Sequence, residues 1–134
     1  MGGAAIKLLL DTHVWIWSLT APQLMAEPAR EAIASRDSEL WLSPVSVWEV
    51  VVLAEKNRLR LAHGAGEWIE RALRELPTRE AALTFEVAQE TRRVRLPHAD
   101  AADRFLAATA RVYGLLLVTA DHRLLDAPDV PALR

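Results

Sequence analysis

The chain has 134 residues and a formal net charge of −2; 51% of it is hydrophobic and 25% charged. That is the balance of an ordered globular chain, long enough to bury a core unaided, so disorder is excluded. It has no cysteine, which rules out a disulfide framework and thiolate metal sites and permits a reducing compartment. The net charge leaves no overall footprint for nucleic acid, so any such contact must rest on local basic patches. The opening "MGGAAIKLLLD" carries one lysine and a short apolar run broken by Asp11, too short for a signal peptide or a membrane span. A cytoplasmic protein without membrane association is expected. No repeat, low-complexity tract or linker divides the sequence, which predicts one domain over residues 1–134.

In chain order, residues 6–10 (IKLLL) read as a first strand, and Thr12 to Leu19 begin the helix or turn that follows. "AEPAREAIAS" places Pro28 in a first helical turn, with Ala29, Ala32 and Ile33 at helical spacing. "LWLS" at 40–43 is a second short strand, and Ser43 before Pro44 starts a helix reaching about Asn57. Five valines weaken that helix's propensity, so the assignment rests on its length and start signal. "GEWIERALREL" is an amphipathic helix that stops before Pro77. "REAALT" reads as a third strand, and "FEVAQETRRV" as a helix ending near Leu96 and Pro97. Asp100 to Tyr113 is a helix with Phe105, Leu106, Thr109 and Val112 on one side and Gly114 at its end; "LLLVT" follows as a continuous apolar strand.

Continuous apolar strands separated by helices imply a parallel sheet covered on both faces, hence a three-layer α/β/α architecture. Ligands of such sheets bind beyond the carboxyl ends of the strands, where strand order reverses. Asp11 directly follows the first strand and Asp121 follows the last by two residues, so both project at that edge. Glu49 shares its helix face with Val45, Ser46, Val52 and Leu53, where a carboxylate needs a cation, a metal or a proton. Asp100 and Asp103 lie one turn apart at a helix start. Asp11, Glu49, Asp103 and Asp121 can therefore converge, with Asp100 nearby. Such a cluster suits a hard divalent cation, Mg²⁺ or Mn²⁺, and metal-assisted phosphodiester hydrolysis by an activated water. The chain has no GxSxG, no phosphate-binding glycine loop and no HExxH.

Each acid also has a plainer reading. Asp11 and Asp121 stand where aspartate caps a helix, Asp103 could pair with neighbouring arginines, and Glu49 could pair with an arginine from another helix. His13, His98 and His122 lack zinc-ligand spacing and read as packing or supporting groups. Arg92, Arg93 and Arg95 form the densest basic cluster, either a solvated helix end or a contact for an RNA backbone. Of the five tryptophans most should be core, with Trp17 or Trp68 the candidates for a dimer surface or partner groove.

The succession "LLLDTHVWIW", "LSPVSVWEVVVLAEKNRL", "LPHADAADRFLAATA" and "LLLVTADHRLL" resembles the PIN domain of VapC-type toxins, the ribonuclease halves of type II toxin–antitoxin pairs. The resemblance covers almost the whole chain. It implies that Asp11, Glu49, Asp103 and Asp121 form the catalytic metal site, supported by Thr12, Ser46 and Thr119, with Asp100 as an auxiliary acid. It further implies an endoribonuclease that forms a homodimer and is held inactive by a VapB-like antitoxin. The chain departs from the family at Ala101 and Ala102, where a "DPxDR" segment often has proline and a bulky residue; this loosens the helix start without removing a ligand. Two other classes stay open: a Mg²⁺-dependent phosphatase of the haloacid dehalogenase type, although histidine at position 13 breaks its DxDx pattern, and a catalytically silent PIN-like interaction module.

Overall fold

A computed structural model describes residues 5–97 and 100–134. Strand β1 (Ile6–Leu10) is followed by helices α1 (Thr12–Thr20) and α2 (Glu27–Ala34) and by β2 (Ser38–Leu42). Next come α3 (Pro44–Glu55), α4 (Ala65–Glu75), β3 (Arg79–Glu80), α5 (Phe85–Glu90), α6 (Ala101–Tyr113), β4 (Leu116–Val118), α7 (His122–Leu125) and β5 (Ala132–Leu133). The sheet order is β3-β2-β1-β4-β5 and every pairing is parallel. Strand β1 is central, Leu8 standing opposite Leu40 on one side and Leu116 on the other.

A central strand in a parallel sheet must be apolar on both faces. Leu8 and Leu10 join Val14, Trp15, Ala29, Val50 and Ala72 in the layer built by α1 to α4. Leu9 points the other way, into Val87, Leu106, Ala110, Leu117 and Leu124 of α5, α6, β4 and α7. All three leucines are fully buried, contributing roughly 2 kcal/mol each. The chain winds outward from β1 through β2 to β3, then crosses back to β4 on the far side of β1. Strand order therefore reverses between β1 and β4, and the crevice beyond their carboxyl ends is where such sheets bind ligands.

The sequence signals explain the strong elements. Helix α3 tolerates its valines because Ser43 Oγ accepts the Val45 N–H (3.1 Å) and Pro44 sits in the first turn. Asp100 caps α6 by accepting the Asp103 N–H (3.1 Å), and Gly114 ends it at φ +66°, a left-handed conformation that favours glycine.

Three expectations need correction. The strand predicted over "REAALT" pairs through Arg79 and Glu80 alone, because β2 offers β3 only Trp41 and Leu42 as partners. The helix predicted through Val94 gives way at Thr91–Arg93 to a 3₁₀ turn, where the Val94 N–H bonds back to the Thr91 carbonyl. The second strand lies at 38–42, with Ser43 already capping the next helix. Strand β5, with no apolar run of its own, is missing from the sequence reading.

Candidate active site

Asp11 leaves β1 at the reversal point, its N–H donating to the Val118 carbonyl (3.0 Å) and so tying the ends of β1 and β4 together. Its carboxylate is held twice: Oδ1 accepts the Thr12 N–H (2.6 Å) and Oδ2 accepts the Thr119 hydroxyl (2.6 Å). Only 9% of the residue is exposed. Burial pushes its pKa above the ordinary carboxylate value; hydrogen bonds from Thr119 and Thr12 and the nearby His13 oppose this, and Asp121 adds to it. Thr119 Oγ1 also accepts the Asp121 N–H (3.1 Å), so one hydroxyl positions both strand-end acids.

Glu49 projects from α3 toward the start of α1. Thr12 Oγ1 donates to Glu49 Oε1 (2.5 Å) and lies 2.9 Å from Ser46 Oγ. A threonine hydroxyl has one proton, so with that proton committed to the carboxylate, the Ser46 hydroxyl donates into Thr12. Thr12 and Ser46 are both buried. The half-buried Glu49 also titrates above its usual value, first because burial disfavours its charge; the Thr12 hydrogen bond works against this, while Asp11, Asp100 and Asp103 repel it. The alternative of an arginine partner for Glu49 thus gives way to a hydroxyl from α1.

The N-cap and first turn of α6 bring Asp100 and the 9%-exposed Asp103 to the same place. Asp121 caps α7, accepting the Arg123 N–H (2.9 Å), and is gripped by the guanidinium of Arg123, Nε to Oδ1 at 3.2 Å and Nη2 to Oδ2 at 2.9 Å. Capping and clustering are therefore not alternatives: Asp11, Asp100 and Asp121 each cap a helix and face one cleft. That cleft has a volume of about 370 Å³, and Asp11, Glu49, Asp100, Asp103 and Asp121 line it together with His13, Trp17, Ala120 and Arg123.

The donor set fits a hard divalent ion. Five of the nine lining residues are carboxylates, and burial, with repulsion from neighbouring acids as a smaller cause, makes Asp11 and Glu49 bind protons more tightly than free carboxylates do. Among the described residues no three His, Cys, Asp or Glu groups stand close enough to enclose a bare ion. A cleft of about 370 Å³ instead suits an ion that keeps several waters and takes its remaining oxygens from substrate phosphate.

The structure does not bring Arg92, Arg93 or Arg95 into the lining of this cleft. Arg92 Nε donates to the Gln89 carbonyl (3.1 Å), Arg93 pairs loosely with Glu90 (3.9 Å), and the Arg95 side chain is exposed. Of the tryptophans, Trp68 stacks edge-on against the buried Trp15 (5.2 Å), and the most exposed is Trp48, at 58%. His122 bonds to Arg134 (2.8 Å), and His98 lies outside the described residues. The sequence reading missed Arg123, whose signal was an arginine two residues after a capping aspartate, and underrated His13 and Trp17, whose signal was their one-turn spacing directly after Asp11.

A family model described as PIN domain matches residues 8–130. The chain is 37% identical over 120 residues to Ribonuclease VapC22 of Mycobacterium tuberculosis, covering 87% of this chain and 88% of that protein. Its fold resembles DNA-bound VapBC from Salmonella typhimurium, at TM-score 0.71 and 22% identity over 96% of this chain and 97% of that one. It also resembles VapBC2 from Rickettsia felis bound to a DNA fragment from its promoter, at TM-score 0.70 and 13% identity over 96% and 98%.

Proposed function

The chain belongs to the PIN domain family, and on that premise we propose that it is a metal-dependent endoribonuclease, the toxin of a toxin–antitoxin pair. The observation that carries this reading is the convergence of Asp11, Glu49, Asp103 and Asp121 on one cleft at the point of strand reversal. Those four carboxylates would hold hydrated Mg²⁺ or Mn²⁺, in part through its waters, with Asp100 as an auxiliary acid. A bound divalent cation supplies a water of lowered pKa and neutralises charge on the leaving oxygen.

The chain's own residues supply position and charge. Thr119 fixes the Asp11 carboxylate and the Asp121 backbone with a single hydroxyl, and Thr12, backed by Ser46, fixes Glu49. Burial of Asp11 and Glu49 makes their negative charge costly, and Asp121 beside Asp11 and Asp11, Asp100 and Asp103 beside Glu49 add to that cost, so a divalent cation among them would be favoured. Asp121 joins the set by releasing Arg123, whose guanidinium sits at the cleft wall and can then meet a phosphate oxygen. Arg92, Arg93 and Arg95 would contact RNA backbone away from the cleft.

The relatives' names support a VapB-like antitoxin as partner. We further propose a homodimer working in the cytoplasm; among the described residues no helix is long and apolar enough to cross a membrane. Nothing in the comparisons supports the haloacid dehalogenase alternative, and no observation favours a silent module. The test is incubation of antitoxin-free protein with structured and unstructured RNAs in Mg²⁺ or Mn²⁺. Cleavage should stop in EDTA and fall on the order of a hundredfold or more in Asp11→Asn; cleavage surviving either change would overturn the reading.

A further inference from the structure

The proposed hydrolysis leaves two rings of the cleft unused. His13 and Trp17 are one turn apart on the same face of α1, ring centroids 6.0 Å apart and planes tilted by 53°. His13 is exposed and Trp17 half-buried, and both line the carboxylate cleft. Side chains on a helix lean back toward its N-terminus, so Trp17 leans toward the end that Asp11 caps. Trp17 and Ala120 also wall a second, smaller space of about 140 Å³ whose lining contains no carboxylate. Leu24, Met25 and Ala29 line this slot, Leu24 with 58% of its surface in water, and Arg134 stands at it with one Nη held against His122. Polarity therefore changes in a fixed order: carboxylates, then an aromatic pair, then an apolar slot flanked by a guanidinium.

We propose that this is the seat of a nucleobase: the base adjoining the phosphodiester held in the acidic cleft stacks on the Trp17 indole, with the tilted His13 ring at its edge, and reaches into the slot beside Arg134. The proposal rests on the nuclease reading above and deepens it. A nucleotide carries its groups in the matching order, phosphate oxygens for the cation among the carboxylates and then a flat π-face for the indole. The next phosphate along the strand meets Arg134. Stacking of this kind tolerates any base and requires the one seated here to be unpaired. Trp17 packs one part of its indole on the core of α1 to α4 and turns the remainder to the cleft beside the exposed His13.

Fluorescence anisotropy in Ca²⁺ tests this with two probes of equal charge, a labelled nine-nucleotide oligoadenylate and the same ribose-phosphate chain without bases, each checked afterwards by gel to be intact. Wild type should bind the intact probe about tenfold or more tightly than the abasic one. Trp17→Leu should lose most of that difference, Trp17→Phe should keep most of it, and His13→Ala should lose part. An equal base-dependent difference in wild type and Trp17→Leu would overturn the proposal. Should Trp17→Leu fail to fold, an unchanged difference in His13→Ala, which alters an exposed side chain, would overturn it. The nuclease reading fails separately. Absence of metal-dependent cleavage of any RNA, with the base-dependent difference intact, would remove the enzyme and leave the base seat; cleavage without that difference would do the reverse.

Discussion

Glu49→Gln isolates the charge of one proposed metal ligand from its shape. The amide oxygen of glutamine can occupy the place of Oε1 and still accept the Thr12 hydroxyl, so the link from α1 to α3 survives. What disappears is a half-buried charge repelled by Asp11, Asp100 and Asp103. The hydrogen bond weakens from charge-assisted to neutral, a loss of about 1 kcal/mol, and relief of repulsion offsets it. Without metal the variant should melt within about 4 °C of wild type, since 1 kcal/mol corresponds to roughly that shift at this size.

The metal response should separate the two proteins. At Mn²⁺ a hundred times its dissociation constant, wild type gains about 2.7 kcal/mol, near 11 °C. Loss of one ligand that weakens binding at least about tenfold lowers the gain to about 1.4 kcal/mol, near 6 °C, at the same Mn²⁺ concentration. Acid supplies a second reading. Because the folded-state pKa values of Asp11 and Glu49 are raised, the folded protein binds more protons than the unfolded chain between the two states' values. Metal-free stability should therefore fall as pH rises through that window and flatten above it, and Glu49→Gln should show a shallower fall. The Mn²⁺-induced rise should shrink in wild type as pH drops toward the same window, where protons compete for the ligands. Melting curves in EDTA and in millimolar Mn²⁺, from pH 4 to 8, cover all of this. An undiminished Mn²⁺ shift in Glu49→Gln would refute its place in the site.

Thr12→Val removes a hydroxyl that is 1% exposed and deprives Glu49 of its donor, so urea titration should show a loss of about 1–3 kcal/mol, smaller when combined with Glu49→Gln. Arg123→Gln removes the guanidinium that competes for the Asp121 carboxylate and should tighten Mn²⁺ binding a few-fold by calorimetry at fixed ionic strength; an unchanged affinity would remove Arg123 as a competitor. Expression of the wild-type chain alone should arrest growth, whereas Asp103→Asn at equal abundance should be tolerated; equal toxicity of the two would point to a non-enzymatic effect.

Local chemistry determined a large part of this protein. Strand β1 follows from an apolar run closed by an aspartate, α6 from a capping Asp100 and a closing Gly114, and the parallel three-layer class from the alternation of the two kinds of segment. These signals act over a few residues and are therefore readable along the chain. The acids, too, stood out as residues at strand ends and helix starts. Tertiary structure alone decided how far β3 extends, since a strand lasts only as long as its neighbour pairs with it, and it alone made Ala132–Leu133 a strand, by laying them against Leu117 and Val118. It left Trp48 the most exposed tryptophan, whereas the sequence offered Trp17 or Trp68 for a partner surface. It also turned capping residues into a cluster: Thr119 serves two acids, Thr12 of α1 meets Glu49 of α3, and Arg123 closes on Asp121. Asp11 and Thr119 are 108 residues apart in sequence, and no local propensity encodes their hydrogen bond. It exists because β1 and β4 are neighbours in the sheet: helices cover both faces of β1, so the backbone N–H and C=O groups along each of its buried edges must be paired by a strand, β2 on one side and β4 on the other.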